Sequence, residues 1–570
     1  MTIKLHCLKL ALQLFIAIIA NISIATLAIA APGLADPANL PRFETQPSLP
    51  IIRPTIERKE DSKYPAPLPD NIGIKVNLNS FKFSGNKNVS DAVLSDLLKE
   101  YLGQSLSIKE LNQMTAMVTS YYRQHGFMLA QAYLPEQDIN QNTLEIAVIE
   151  GYLGELKLNI KGQLDEAFLK KMATHDFASN DAIKESNLVR NITLINSLPG
   201  LQAISQISPG QEIGYSDIDI QVDALPRISG FLAATTFGNR FTGREVLSAG
   251  LFLNNLAGRG DRVSLNLKTS NHEGQRALQL GYLLPIHESG TILNLNAGYS
   301  DYQLGGAFAN LNAKGDRSFF STSLDQPLLR SRQANLTSRV GISYLDFSDD
   351  ISTLKFENSI SAIEMGLFGD WRDAEFNGLN QLGFNLKLGD AKQKNAISKL
   401  FDTEGANIAG NFVKFNVFGS RIQPLSPWYN LTLSAELQGT TKNLDGAEKL
   451  AIGGANRWRE FGEFPTSSDR GLIVGAELRR LMSPFPFLAS FLPTVEISSY
   501  SFFDYGKGII NHSALSDSNH VESFHYGAGV DARLSKNWGL GLTISHQKSH
   551  IEDTATENET RVWGQIQAQF

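Results

Sequence analysis

Thiol chemistry is almost absent: the 570 residues contain one cysteine, Cys7. It lies ahead of an apolar run from Leu10 to Ala30, with Lys4 and Lys9 forming a basic start and Ala28-Ile29-Ala30 a small-residue end. That is the pattern of a cleaved secretory signal over residues 1–30; the rival reading is an uncleaved anchor, for which the run is long enough. Cys7 precedes the apolar run and is wrongly placed for a lipid-attachment site. Without the signal no cysteine remains, which excludes disulfides and thiolate chemistry. Charge is scarce as well: 19% of residues carry one and the formal net charge is −7, so nucleic acid is not an expected partner. No later run is long and apolar enough for a transmembrane helix. An exported chain with these properties is periplasmic, secreted or an outer-membrane barrel.

Enzyme signals are missing too. There is no Gly-x-Ser-x-Gly elbow, no phosphate loop and no His-Glu-x-x-His. Gly527-Ala528-Gly529-Val530-Asp531-Ala532 formally fits a dinucleotide fingerprint, but it lies in a strand pattern with no helix after it. The histidines are scattered, and the pairs His272/His287 and His546/His550 lack further ligands. No catalytic residue, cofactor or metal is expected.

What is present falls into distinct stretches. Residues 31–73 form a linker with prolines at 32, 37, 41, 47, 50, 54, 65, 67 and 69, a spacing that excludes a sustained helix or central strand. From Ile74 the pattern is that of a folded unit, residues 74–151. An alternating strand ends at Ser84-Gly85-Asn86, and a helix follows from Ser90 with Val93, Leu94, Leu97, Leu98 and Tyr101 on one face. A second helix opens with the capping box Ser107–Glu110, buries Leu111, Met114, Val118 and Tyr121, and stops at Gly126. Strands follow at Phe127–Leu134 and Leu144–Glu150. The order β-α-α-β-β then recurs over residues 152–225, with strands at Leu153–Ile160, Gln202–Ile207 and Asp217–Val222 and helices at Glu166–Ala173 and Ser186–Ser197.

From Arg227 the helical period disappears. Residues 226–570 read as sixteen alternating segments, an even number as closure of antiparallel neighbours requires. The segments are 228–237, 246–256, 262–270, 276–284, 291–301, 317–326, 334–346, 358–371, 378–389, 411–421, 428–439, 471–481, 493–505, 521–533, 538–547 and 560–570. In the last, Val562, Gly564, Ile566, Ala568 and Phe570 share one parity, the lipid face; Arg561, Trp563, Gln565, Gln567 and Gln569 share the lumen face. Long connections (302–316, 390–410, 440–470, 506–520, 548–559) alternate with tight turns at Gly258–Asp261, His287–Gly290 and Ser535–Asn537, the asymmetry of an outer-membrane barrel with long loops outside. The alternative is a soluble β-sandwich or propeller, but no blade motif recurs.

The longest connection holds AIGGANRWREFGEF, Ala451 to Phe464, in which glycines flank an aromatic–arginine–acid–aromatic tetrad. Glycines let a tip fold into a confined space, and arginine offers a fork of donors to a buried carboxylate. The plain alternative for Arg459 is a solvated loop arginine beside Arg457 and Arg470.

The runs FSGNKNVS, SIKELNQM, YYRQHGF, AYLPEQDI and LEIAVIEGYL resemble the first POTRA domain of two-partner-secretion transporters, and LINSLPGLQAISQISPG with YSDIDIQV resembles the second. The resemblance implies two POTRA domains in the periplasm, followed by a sixteen-stranded barrel in the outer membrane of a Gram-negative bacterium. It implies export of a large partner exoprotein (an adhesin, haemolysin or toxin) captured by the POTRA domains, whose strand edges beside helices can add an extended guest strand. The terminal Phe570 resembles the signal read by the barrel assembly machinery, and outer-membrane lipids surround the barrel. In this family the sixth loop carries a glycine pair, three residues and then Val-Arg-Gly-aromatic. Here Gly453, Gly454, Arg459 and Phe461 match, while Trp458 and Glu460 replace the valine and the glycine. A Phe-x-Asp-x-Gly signature on the thirteenth strand is matched by Phe502, Asp504 and Gly506, and implies that Arg459 pairs with Asp504. Glu477, of lumen parity on the twelfth strand, is a second candidate partner. Family members often thread an N-terminal plug helix through the barrel, whereas the prolines at 37–54 predict a short or absent one. An insertase of the same superfamily and a passive porin-like channel remain open as alternatives.

Overall fold

The computed structural model describes residues 56–58, 69, 75–138, 142–177, 182–238, 240–271, 274–454, 461–482, 495–509, 520–551 and 557–570. The signal read over residues 1–30 and the stretch where a plug helix was weighed lie outside these residues.

A short strand, β1 (Ile56–Arg58), comes from the proline-rich segment, and the first folded unit follows. Its elements are β2 (Lys75–Asn77), β3 (Ser80–Ser84), α1 (Asp91–Leu98), β4 (Ser105–Ser107), α2 (Ile108–Gln124), β5 (Gln131–Tyr133) and β6 (Thr143–Ile149). β3 lies parallel to β6 and β5 antiparallel to it, while β2 pairs with β4. The capping box at Ser107 and Glu110 forms in full. α2 buries Leu111, Met114, Val118 and Tyr122 against Leu78, Leu94, Leu98 and Ile146. Three expectations shift. The fully buried tyrosine of α2 is Tyr122, while Tyr121 is only partly buried against the same core. α1 ends at Leu98 and gives way to a 3₁₀ turn, Lys99–Tyr101, leaving Val93 exposed. The strand expected from Phe127 begins only at Gln131, because Phe127–Ala130 closes a turn through Ala130 N–H and the Phe127 carbonyl, 3.0 Å.

At the end of the unit Glu150 is fully buried. Its carboxylate accepts from the Asn88 backbone N–H and Nδ2, both at 2.7 Å, from Tyr122 Oη at 3.1 Å and from Tyr152 Oη at 3.3 Å.

The second unit repeats the topology: β7 (Tyr152–Lys161), α3 (Glu166–Thr174), α4 (Glu185–Asn196), β8 (Leu201–Pro209) and β9 (Tyr215–Ala224). β7 is parallel to β9 and β8 antiparallel to it. Here the sheet has a fourth member. β1 adds in parallel to the far edge of β8, Ile56 opposite Ser205 through Arg58 opposite Ile207. The β8 edge of this sheet is therefore covered by the chain's own N-terminal segment, and β7 forms the other edge.

Sixteen strands close the barrel. The first eight are β10 (Ile228–Thr235), β11 (Val246–Asn254), β12 (Arg262–Ser270), β13 (Gln275–Pro285), β14 (Ile292–Gln303), β15 (Lys314–Arg330), β16 (Ala334–Ile351) and β17 (Leu354–Arg372). Three follow: β18 (Leu379–Gln393), β19 (Gly410–Ser426) and β20 (Tyr429–Thr440). Inside the next connection lie β21 (Leu450–Gly454) and β22 (Phe461–Ser468), outside the barrel ladder. The barrel then resumes with β23 (Arg470–Met482), β24 (Glu496–Ile509), β25 (His520–Arg533), β26 (Trp538–Ile551) and β27 (Glu557–Gln569). β27 meets β10 from Phe231 opposite Gln569 to Thr235 opposite Gln565.

Each segment read from alternation holds one of these strands. β15–β17 run beyond the expected segments because the backbone ladder continues above the lipid-facing pattern, into charged stretches such as Asp346–Asp350 and Lys355–Glu357. Faces follow parity: Val340, Ile342, Val562 and Ile566 are exposed outward, while Trp563 is buried in the lumen, its Nε1 donating to Ser545 Oγ at 2.7 Å.

The tight turns gather at one end of the barrel, where the second unit docks on Gly258–Asp261, His287–Gly290 and the turn between β15 and β16. Asp165 N–H donates to the Gly258 carbonyl, 2.9 Å; Arg190 Nη2 donates to the Ser289 carbonyl, 3.3 Å; and Arg332 pairs with Glu185 at 2.9 Å.

Candidate functional site in the barrel lumen

The connection from β20 to β23 leaves the barrel at the end opposite the docked unit and turns back inward. Its two roots are tied together: Leu444 N–H donates to Asp469 Oδ1, 2.6 Å, and Arg470 Nε to the Thr440 carbonyl, 3.0 Å. Asp469 is fully buried. A 3₁₀ turn, Gly446–Glu448, follows, capped by Asp445, whose Oδ1 accepts from Ala447 N–H at 3.0 Å. Then β21 and β22 form a hairpin, with Leu450 opposite Ser468 and Gly454 opposite Phe461.

The hairpin rests on the wall made by β23–β25. Leu450 and Ile452 are buried with Val521, against Ile473. Gly506 allows this approach: a Cβ there would sit 2.3 Å from Ile452 Cγ2. One residue pair lower on the same face is Asp504, opposite Gly475 on β23 and His525 on β25. A Cβ on Gly475 would lie 2.5 Å from Asp504 Oδ1, so the glycine makes room for the carboxylate. Glu477 also faces the lumen, where Arg479 Nε donates to it at 2.9 Å; Arg479 Nη1 reaches Asp531 at 2.6 Å and Ser498 at 2.8 Å.

Of the residues singled out in the sequence, Gly453 and Gly454 fall on β21 and Phe461 opens β22. Asp504 and Glu477 stand on the facing wall, and Glu477 has Arg479 as a partner. Arg459 lies outside the described residues.

Sequence reasoning missed a neighbouring stretch of wall, separated from β23 only by β20. Lys387 on β18 and Lys414 on β19 are directly opposite each other in the ladder, and Glu364 on β17 is opposite Lys387. Two cross-strand lysines repel unless carboxylates sit among them. Glu364 supplies one, 2.8 Å from Lys387 Nζ. Glu448 of the loop supplies the second, 2.9 Å from Lys387 and in contact with Lys414. Lys414 Nζ and Gln438 Nε2 also donate to the Glu448 carbonyl, each at 3.1 Å. Burial disfavours the Glu448 carboxylate, but the two ammoniums outweigh it and hold its pKa well below the usual range. Burial instead dominates at Asp445 and pushes its carboxyl up to about 6. The lumen-facing lysine pair was the available signal, since the two positions become opposite only once strand register is known.

Comparison with known proteins bears on what this lumen does. The model of the POTRA domain, ShlB-type, matches residues 76–151. The chain is 25% identical over 480 residues to the heme/hemopexin transporter protein HuxB of Haemophilus influenzae (strain 86-028NP), covering 83% of this chain and 84% of the relative. It is 22% identical over 482 residues to the outer membrane transporter CdiB of Dickeya dadantii (strain 3937), covering 81% and 80%. The solved structure of CdiB from Escherichia coli superposes with a TM-score of 0.72 at 20% identity, over 89% of this chain and 93% of that one, which establishes the shared fold. The model of the haemolysin secretion/activation protein ShlB/FhaC/HecB matches residues 214–534, more than half of the chain. The barrel spans the outer membrane with its tight turns toward the periplasm, and the chain belongs to the haemolysin secretion/activation protein ShlB/FhaC/HecB family, the outer-membrane transporters of two-partner secretion.

Proposed function

We propose that this transporter serves one large exoprotein, an adhesin, haemolysin or contact-dependent toxin, whose unfolded N-terminal segment is captured in the periplasm and threaded through the lumen. The observation that carries the reading is a closed barrel with a loop folded into its lumen, standing over two β-α-α-β-β units of which one is docked on the periplasmic turns. The second unit acts as a second POTRA domain. Capture falls to the first unit, since β1 covers the corresponding edge of the second. Folding of the partner outside drives passage, because nothing in the sequence encodes nucleotide binding.

In the same reading Arg459 latches the loop to Asp504. Supporting it are the lumen orientation of Asp504 and the glycine-lined wall that receives the hairpin beside it. Exchanging the two charges, Arg459→Asp with Asp504→Arg, restores part of the secretion that either single change loses; a double variant no better than the worse single one overturns the direct pair. Deleting residues 74–150 abolishes secretion of one partner while the barrel still inserts. If surface display of many barrels falls instead, the protein is an insertase.

A further inference from the structure

The loop touches two separate stretches of the lumen wall, with β20 between them. Its hairpin lies on β23–β25, whereas Glu448, only six residues before Gly454, is joined to β18 and β19 on another part of the wall. Glu448 is 7% exposed and Lys414 8%, so this contact is buried rather than a passing surface pair. Its charges balance: Lys387 and Lys414 against Glu364 and Glu448. The balance depends on the loop, because the wall alone carries two ammoniums and one carboxylate. The contact is also built from more than charge, since Lys414 and Gln438 both bond the Glu448 main-chain carbonyl. Side chain and backbone of one residue are thus gripped together, which fixes where the loop root sits and not merely its charge.

We propose that Glu448 is a positioning residue for transport: it clamps the root of the inward loop to the β18–β19 wall, keeps the lumen constricted, and must let go for a chain to pass. The last clause rests on the reading that the partner crosses through the lumen; the constriction does not. When the clamp opens, Lys387 and Lys414 share Glu364 alone, so the open lumen gains a net positive site at this height. Carboxylate side chains of a passing chain are the groups that site would favour.

The test uses the full-length protein in planar lipid bilayers and in cells. Glu448→Gln keeps the shape and removes the charge; it is expected to raise open-channel current or open probability at least threefold, with Glu448→Asp intermediate. Heat-modifiable migration of the variant checks that the barrel is folded. Current equal to that of the native protein in a folded Glu448→Gln variant overturns the clamp. For release, Glu448→Cys and Lys414→Cys, in a Cys7→Ser background, are joined with a reducible bis-methanethiosulfonate crosslinker. Secretion should fall at least tenfold when they are joined and recover on reduction. Unchanged secretion with the crosslink verified overturns the need for release. A native protein that secretes no partner would count against the transport reading, while the bilayer currents would still decide the clamp.

Discussion

Arg259, in the first periplasmic turn of the barrel, places its Nε 2.8 Å from Oδ2 of Asp165, the residue that caps α3 in the second unit. One carboxylate thus finishes a helix and binds the barrel, since its Oδ1 accepts from Phe168 N–H at 3.0 Å. The pair is partly exposed, so Arg259→Ala is expected to loosen docking by only about 0.5–1 kcal/mol. Asp165→Ala also removes the cap and should cost about 1–2 kcal/mol. Hydrogen exchange of the α3 amides in the full-length protein separates the two: equal protection loss would mean that the cap contributes nothing.

Glu150 is the opposite case, a buried carboxylate with four donors from three parts of the chain. Glu150→Gln replaces an acceptor by a donor facing Asn88, and Glu150→Ala strands the donors altogether. The expected loss for the alanine variant is about 3–5 kcal/mol, felt across α2 and the junction to β7. Hydrogen exchange within residues 75–149 is the readout, and near-native protection there would contradict it.

Gly506→Ala sets a methyl carbon against Ile452 at a distance no packed structure keeps. Either the strand or the hairpin must move, at a cost of about 1–3 kcal/mol. The hairpin is the less firmly paired of the two, so the variant should show larger bilayer currents and faster protease cleavage within residues 440–470, with barrel migration on gels unchanged.

Acid should favour the inward loop. The Asp445 carboxyl is raised to about 6 in the inward arrangement, by burial first and then by the nearby Asp349 and Glu448 charges, with Arg317 and the Ala447 N–H opposing. A freed loop returns it toward the usual value of 3.8, so the inward form binds the proton more tightly. The penalty of an ionised Asp445 is present above pH 6 and relieved as pH falls toward 4. Open probability should therefore drop between pH 7.5 and 5, and Asp445→Asn should flatten that response.

The barrel was legible because lipid on one side and lumen on the other enforce a period of two, which survives along every strand. The paired units were legible for a similar reason, through helical faces such as Leu111–Met114–Val118 and the Ser107–Glu110 box. Parity also put Asp504 and Glu477 on the lumen face, but a face is not a partner. Arg479, two residues along the same strand, sits as near to Glu477 as any cross-strand neighbour could. Glu448 was invisible because a glutamate in a polar loop reads as solvated until the register brings Lys387 opposite Lys414. β1 was hidden by its setting, since a three-residue strand between prolines has no periodicity to detect.

That small strand changes the mechanics of the first unit. The unit leaves the second through the Glu150–Tyr152 junction at one end, and at the other its chain returns to the same sheet through β1. The covalent reach of residues 59–74 is roughly 55 Å at most. The first unit is thus a bight of chain made fast at both ends and packed on the second unit between them, with Leu129 in the second unit's core and the Glu185 N–H bonded to the Gly126 carbonyl at 2.9 Å: any excursion must break that contact, and a wide one must also peel Ile56–Arg58 away from β8.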